Sequence, residues 1–314
     1  MRGATAAKLL RVGLTIVSLV ALAIWLPYAS LANIIATARL DWFVAAAAVA
    51  ASLGLLDALR VAILLGLPGK AFVQNLRITF LAALTAQLPT GLIGGDLYRS
   101  VALRVLDEST ESIVSTLMIS RLMSLFAMLV ALSVTSALML SGLTSTPASA
   151  SGMSTMAVLC AGGVLVSGVL SAGALAYRLP FWRRWSVIRD VLGRIRAVSL
   201  HQFGAAMAIS IGLVFVRAAA LWMAINAIGL NVSLDVAILA LSAGFLLSVI
   251  PLTAAGIGLR EAGIAGVLVL FGVDPGVAVF GAIIFRAVAL AGAVAGYVVT
   301  QLLEWALVWG QASR

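Results

Sequence analysis

Residues 87–99 have the sequence QLPTGLIGGDLYR and lie between long apolar runs. The stretch contains a proline, three glycines, a carboxylate and a guanidinium. A lipid-exposed helix does not hold such a sequence easily, because broken backbone leaves N–H and C=O groups without partners in hydrocarbon. Residues 251–261, PLTAAGIGLRE, repeat the same chemistry late in the chain. Both stretches are therefore expected to be buried in protein or to line a wet cavity inside a membrane protein.

The composition indicates a protein that spans a membrane several times. Of its 314 residues, 63% are hydrophobic and 10% are charged, and the mean hydropathy is +1.18. Soluble domains typically carry about 25% charged residues. Several apolar runs approach or exceed the roughly 20 residues that cross a bilayer as a helix. The sequence predicts an all-α polytopic membrane protein with about six full spans. These spans are residues 12–26, 42–65, 112–140, 153–176, 200–230 and 277–303.

Other classes of protein fit the sequence less well. The excess of 20 Lys and Arg over 11 Asp and Glu is expected as a topology signal of a membrane protein, and no soluble basic domain is present to bind nucleic acid. One cysteine, Cys160, and one histidine, His201, predict neither a disulfide framework nor a histidine metal site. No catalytic constellation is seen, so neither enzymatic activity nor a cofactor is expected.

The distribution of basic residues predicts the topology. Residues 178–196 hold six arginines and an apolar helical stripe, so they are expected to form an amphipathic helix at the cytoplasmic surface. Counting outward from this segment places both flanks of residues 71–99 in the cytoplasm. That stretch is then a re-entrant hairpin, and residues 234–272 form a second hairpin that opens from the outside. Both termini are predicted to be cytoplasmic, in a multi-pass protein of the cytoplasmic (inner) membrane.

The two hairpins occupy equivalent places in two similar halves. Arg121 and Arg286 are 165 residues apart, Pro89 and Pro251 are 162 apart, and Arg99 and Arg260 are 161 apart. Opposite entry of the hairpins predicts an inverted-topology repeat, with a substrate site between the repeats; chance spacing is the alternative. The 1–314 domain then comprises a first span and loop (1–40), repeat 1 (41–152), a connecting span and cytoplasmic helix (153–198), repeat 2 (199–304) and a tail (305–314).

Six arginines lie within or beside the repeat elements. Each costs about 2.5–3.5 kcal/mol at the centre of a spanning helix, so each needs a partner or water. The nearby acids, Asp57, Asp96 and Glu261, are too few, and an anionic group would complete the set. The alternative is that the arginines only hold helices together. The predicted substrate-binding residues are Arg60, Asp96, Arg99, Arg121, Arg217, Arg260, Glu261 and Arg286.

The glycines of the two stretches suggest a further role for the backbone. Glycines at the start of a half-helix allow N–H groups to turn towards an anion, although glycine pairs in membrane helices more often serve packing. The predicted hairpin-backbone residues are Pro89, Gly94, Gly95, Pro251, Gly256 and Gly258.

At these residues the chain resembles the lysylphosphatidylglycerol synthase transmembrane-region family, also called flippase-like or uncharacterised-family-0104 membrane proteins. The resemblance covers nearly the whole chain in the family's order. It implies translocation of a charged or glycosylated lipid, as in the multidomain relatives, whose aminoacyl transfer resides in a separate soluble domain. Since the sequence ends at Arg314 without that domain, we expect a stand-alone member without synthase activity. The matching motifs are Leu88-Pro89-(x)4-Gly94-Gly95-Asp96-(x)2-Arg99, Arg121, Pro251-(x)4-Gly256-Ile257-Gly258-Leu259-Arg260-Glu261, Gly272-Val273 and Arg286.

The leading hypothesis is therefore a flippase-like protein that moves a polar or anionic phospholipid or glycolipid through an arginine-lined cavity. The partner would be a membrane lipid with an anionic or glycosylated head group. The alternative is a multi-span glycosyltransferase, or an accessory subunit, of a lipid or cell-envelope glycan pathway. A glycosyltransferase or lipid synthase is a possible protein partner in either case. A purely structural or assembly partner is a third possibility, and it would leave the arginines without a ligand.

Overall fold

The computed structural model describes residues 36–86, 91–106, 109–140, 198–249 and 258–312, together with the isolated positions 20, 24 and 34. Within the described residues there are eight α-helices, a short 3-10 helix at Leu103–Leu106, and no strand. The α-helices are α1 (Leu40–Leu65), α2 (Gly69–Thr85), α3 (Gly91–Ala102), α4 (Thr110–Leu140), α5 (Leu200–Ala227), α6 (Leu234–Val249), α7 (Leu259–Leu270) and α8 (Pro275–Ala312).

Four of these helices are long and apolar enough to cross a membrane. They are α1, α4, α5 and α8, with mean hydropathies of 2.0 to 2.3 over their most apolar windows. A multi-pass helical membrane protein is thereby confirmed. The predicted span 153–176 and the predicted cytoplasmic helix 178–196 lie outside the described residues, as do Pro89, Pro251, Gly256 and all of the predicted span 12–26 except positions 20 and 24.

Local sequence explains where several helices begin. At the start of α5, the Ser199 hydroxyl accepts a hydrogen bond from the Gln202 backbone N–H, while the Gln202 side chain accepts one from the Ser199 N–H. This reciprocal arrangement satisfies two N–H groups that a helix start leaves free. At the start of α8, Asp274 accepts from the N–H groups of Gly276 and Val277.

The outer faces of the long helices are apolar. On α4, exposed apolar side chains recur every four residues, and α8 has a similar series. Side chains four residues apart are neighbours on a helix surface, and a long series of them winds slowly around the helix. Such an exposed apolar surface is suited to contact with lipid tails. The exposed residues are Met118, Leu122, Phe126, Val130, Val134 and Leu138 on α4, and Leu290, Val294, Val298 and Leu302 on α8.

The short helices form two packed pairs, α2 with α3 and α6 with α7. A side chain at Gly95 would lie 2.7 Å from the Ala82 carbonyl oxygen, and Thr79 bonds Arg99 further from the turn. Later residues of α3 therefore contact earlier residues of α2, which shows that the two helices run antiparallel. In the second pair a side chain at Gly244 would lie 2.7 Å from the Arg260 carbonyl oxygen. Glycine therefore permits close helix approach in both pairs.

The contacts between helices repeat from one half to the other. Helices α1–α4 and α5–α8 follow the same order of long, short, short and long. Each contact in the first half has its equivalent in the second: α1 with α2 and with α4, α2 with α3, and α3 with α4. Contacts between the halves are paired too. The last helix of the second half, α8, packs on α1 and α2, and the last helix of the first half, α4, packs on α5 and α6. The first helices of the two halves, α1 and α5, pack on each other.

The ends of the first helix in each half are also alike. Gly66 follows α1 with φ of 73°, and Gly229 follows α5 with φ of 84°. A left-handed conformation after a helix favours glycine, because other residues meet a steric penalty there.

Phe80 of α2 is enclosed by glycines of two other helices. A side chain at Gly54 of α1 would lie 2.2 Å from the Phe80 ring, and one at Gly296 of α8 would lie 2.0 Å from it. Only glycine leaves room for this ring, so the three helices meet closely beside the cavity that is described next.

Candidate functional site: an arginine-lined cavity

A cavity of about 270 Å³ lies between the two halves, and all eight helices contribute to its wall. Its volume is near the lower end of the range for small-molecule pockets, about 300–1,000 Å³. Its apolar wall includes Phe80, Phe245 and Phe285. All six predicted arginines line it, namely Arg60, Arg99, Arg121, Arg217, Arg260 and Arg286.

Asp57 organises the first group of arginines. Its carboxylate bonds Arg60, one turn further along α1, and lies 2.7 Å from the Arg99 guanidinium of α3. The two arginine side chains are only 5% and 7% exposed. Arg99 also donates to the Thr79 hydroxyl at 2.7 Å, so Asp57 connects the α2–α3 pair to α1.

Arg60 has contacts on three helices. Besides Asp57, it donates to the Ser124 hydroxyl of α4 at 2.6 Å and to the Ser210 hydroxyl of α5 at 3.1 Å. A buried cation with this set of acceptors holds helices together. For Arg60 the contacts therefore favour the helix-holding alternative over ligand binding.

Two ion pairs occupy equivalent places in the two halves. Asp96 of α3 bonds Arg121 of α4, and Glu261 of α7 lies 2.8 Å from Arg286 of α8. Each acid and its arginine are 25 residues apart in the sequence. Each pair therefore joins a short helix to the long helix that follows it.

These pairs fix the register between the halves. Asp96 and Glu261 are 165 residues apart, as are Arg121 and Arg286. In this register Arg260 is equivalent to Gly95, whereas the sequence comparison had aligned it with Arg99. The contacts agree, because Arg99 pairs with Asp57 while Arg260 lies over the Phe285 ring at 5.2 Å.

The two matched pairs differ in exposure. The Asp96 side chain is 36% exposed and the Glu261 side chain only 6%. Glu261 also accepts a hydrogen bond from the Gly258 backbone N–H at 2.8 Å. Glu261 thus stabilises the start of α7 as well as pairing with Arg286.

The expectation that hairpin glycines offer N–H groups to an anion needs correction at two positions. The Gly258 N–H is occupied by Glu261. Gly95 is the fifth residue of α3, beyond the four whose N–H groups a helix leaves free, and it allows close packing on α2. Gly94 lies within α3.

Sequence reasoning missed some of the side chains that build the site. Asp57 lies three residues before Arg60, so sequence spacing can predict that contact, whereas its contact with Arg99 depends on the tertiary fold. Thr79, Ser124 and Ser210 are ordinary polar residues in apolar helices, and no sequence signal separates them from others. Asp96 and Glu261 were predicted, and both contact arginines of the cavity.

Comparison with known proteins agrees with this architecture. Residues 10–296 match the family described as Lysylphosphatidylglycerol synthase TM region. The chain belongs to this family. No significant similarity to a curated protein or to a solved structure was found. The match confirms the resemblance seen at the two glycine stretches. It makes the chain a multi-pass membrane protein of a lipid-related family.

Within this lysylphosphatidylglycerol synthase transmembrane family member, the cavity has an uneven balance of charge. Six arginines line it, and the described acids that contact them are Asp57, Asp96 and Glu261. Among the described residues, no cluster of three or more His, Cys, Asp or Glu side chains suited to a metal ion is present. The chemistry that this wall offers is therefore the binding of an anion.

Proposed function

We propose that the protein moves a polar or anionic phospholipid or glycolipid across the cytoplasmic membrane, with the head group passing through the arginine-lined cavity. The observation that carries the proposal is the cavity itself, which has six arginines, three contacting acids and an apolar wall within a lipid-related membrane family. Arginine binds phosphate through a planar fork of donors, which suits a phosphate-bearing head group.

The repeated helix contacts support an alternating-access arrangement. An inverted-topology repeat with its site between the halves is a common transporter architecture. In this proposal the α2–α3 and α6–α7 pairs are re-entrant hairpins that enter from opposite sides. Repeat 1 (41–152) and repeat 2 (199–304) then enclose the head group, with both termini in the cytoplasm.

The two matched ion pairs suggest how a head group could move the hairpins. Arg121 and Arg286 line the cavity and hold Asp96 and Glu261 of the short helices. A phosphate group that binds either arginine competes with the carboxylate, which weakens the link between that short helix and its long neighbour. A ligand shifts such an equilibrium only by its different affinity for the two states. Competition for one guanidinium supplies that difference.

A multi-span glycosyltransferase usually needs acidic residues in a loop outside the cytoplasm. The candidates in loops outside the cytoplasm are Asp41, Asp235 and Asp274. Asp41 pairs with Arg39 at 2.9 Å, and Asp274 accepts from the N–H groups at the start of α8. Asp235 accepts from the Val236 N–H at the start of α6. These contacts favour structural roles over catalysis.

Cross-linking in membranes tests whether a lipid head group enters the cavity. Ala289 of α8 lines the cavity, whereas its neighbour Leu290 is 43% exposed on the outer face. Leu290 lies near the middle of the apolar stretch Pro275–Trp305, at hydrocarbon depth. In a Cys160→Ala background, we expect Ala289→Cys to react with phosphatidylethanolamine that carries a maleimide on its head group.

The control is the same lipid with the maleimide at the end of an acyl chain, which is expected to label Leu290→Cys instead. Head-group labelling of Ala289→Cys should decrease when unlabelled phosphatidylglycerol is added. If a small water-soluble thiol reagent modifies Ala289→Cys but the head-group reagent does not, the cavity is wet and does not admit lipid. That result would contradict the proposed function.

A further inference from the structure

Two of the six cavity arginines differ from the others in their contacts. Arg60, Arg99, Arg121 and Arg286 each pair with a carboxylate. In the part of the chain that the structure describes, Arg217 and Arg260 have no carboxylate within 4.0 Å and no hydrogen bond from the guanidinium. Arg260 has the Phe285 ring as its neighbour, 5.2 Å away.

Arg217 and Arg260 face the same space. Arg217 lies in the middle of α5 and Arg260 in the first turn of α7, and both line the cavity. Asp57 attracts Arg217 and Glu261 attracts Arg260 at longer range, but both acids are already ion-paired with other arginines. Both belong to the second half, and Gly95 stands at the position in the first half that is equivalent to Arg260. The second half therefore contributes to the cavity wall two arginines without an ion pair to a described carboxylate.

Two cations without carboxylate partners are costly inside a protein, because Coulomb interactions are stronger there than in water. A phosphodiester carries one negative charge and can neutralise one of them. A phosphomonoester carries about −1.5 to −2 charges near pH 7, and a diphosphate carries at least two. Either group presents enough oxygens for two guanidinium forks. The doubly charged groups match these two arginines.

Building on the proposed function, we propose that the head group bound between Arg217 and Arg260 is doubly charged, a phosphomonoester or a diphosphate. The other four arginines are each paired with Asp57, Asp96 or Glu261, and Asp57 is shared by Arg60 and Arg99. The tail of the ligand stays in the bilayer, and only its phosphate-bearing end meets the guanidiniums of Arg217 and Arg260. Free inorganic phosphate or pyrophosphate has the same chemistry, so the experiment separates it from a lipid.

The test measures transport in vesicles that contain the full chain and a trace of lipid with a fluorescent acyl chain. Three probes share the same tails and differ in the head group: phosphatidic acid (a phosphomonoester), phosphatidylglycerol (a diester) and phosphatidylcholine (a zwitterion). Because the phosphomonoester can form an added charge-assisted hydrogen bond, we expect phosphatidic acid to cross about tenfold faster than phosphatidylglycerol.

Single variants then assign this preference to the two residues. Arg217→Gln and Arg260→Gln are each expected to reduce the ratio of phosphatidic acid to phosphatidylglycerol transport to near one. The control is Arg77→Gln, which removes an arginine that pairs with Glu304 outside the cavity, 42% exposed, and which should keep the ratio. A preference that survives in both cavity variants would overturn the inference.

The remaining outcomes separate this inference from the proposed function. If phosphatidylglycerol crosses as fast as phosphatidic acid in the wild-type protein, the inference is wrong while lipid transport stands. If no probe crosses faster than in protein-free vesicles, the proposed function fails first. If inorganic phosphate or pyrophosphate binds the purified protein but none of the lipids is transported, the ligand is a soluble phosphate and the lipid assignment is overturned.

Discussion

Replacing Asp57 with asparagine is expected to lower the free energy of unfolding by about 3–5 kcal/mol, the cost of removing one partner from a buried ion pair. Asp57 is the only described carboxylate that contacts Arg60 and Arg99, whose side chains are 5% and 7% exposed. The amide cannot balance these two positive charges. Thermal unfolding in detergent, followed by intrinsic tryptophan fluorescence, measures the effect.

Asp41→Asn on the same helix is the matched control. Asp41 also pairs with an arginine, Arg39, but the two side chains are 65% and 59% exposed. An exposed ion pair contributes little to stability, so the unfolding midpoint should stay unchanged. Adding Arg99→Gln to Asp57→Asn removes one unbalanced cation and should restore part of the loss. Equal midpoints for Asp57→Asn and the wild-type protein would show that Asp57 does not hold the two arginines.

The double substitution of Arg217 and Arg260 by glutamine is expected to separate activity from stability. Transport of an anionic lipid should fall at least about tenfold, because two charge-assisted contacts with the head group are lost. The unfolding midpoint should not fall much, since neither residue forms an ion pair with a described carboxylate. Among the described residues, the ring contact that disappears is that of Arg260 with Phe285. Functional residues commonly show this opposition between activity and stability.

Two measurements on the same preparation check this prediction: the rate of lipid transport in vesicles and the thermal unfolding of the protein in detergent. Arg77→Gln serves as the control for loss of a positive charge outside the cavity. A double variant that unfolds at a much lower temperature than the wild-type protein would indicate that the two arginines hold helices together. Wild-type transport by a stable double variant would show that they do not contact the lipid.

Much of the fold and of the site can be predicted from the sequence. Proline, glycines and charge inside apolar runs mark residues 87–99 and 251–261 as broken membrane segments, because lipid does not tolerate free backbone groups. The four long helices coincide with predicted spans, because an apolar run of about 20 residues or more is long enough to cross a bilayer as a helix. Arginines in such runs need partners, so their convergence on a polar interior follows from the cost of lipid exposure.

The partners of those arginines could not be predicted in the same way. Asp57 and Arg60 are one helical turn apart, so their contact follows from sequence spacing. The contact of Asp57 with Arg99 depends on how the α2–α3 pair packs on α1. The register between the halves shows the same limit, since matching Arg99 with Arg260 is plausible from spacing alone. Only the two ion pairs, Asp96 with Arg121 and Glu261 with Arg286, establish the 165-residue register.

The most direct test of the account is lipid crossing itself. The purified wild-type protein is reconstituted in vesicles, and a membrane-impermeant quencher reports how fast an acyl-labelled anionic lipid exchanges between leaflets. The proposed function predicts exchange that is faster than in protein-free vesicles and is strongly reduced by Arg286→Gln, whose arginine lines the cavity and pairs with Glu261. If well-folded wild-type protein leaves the exchange of every anionic or glycosylated lipid at the protein-free rate, the cavity does not serve lipid transport.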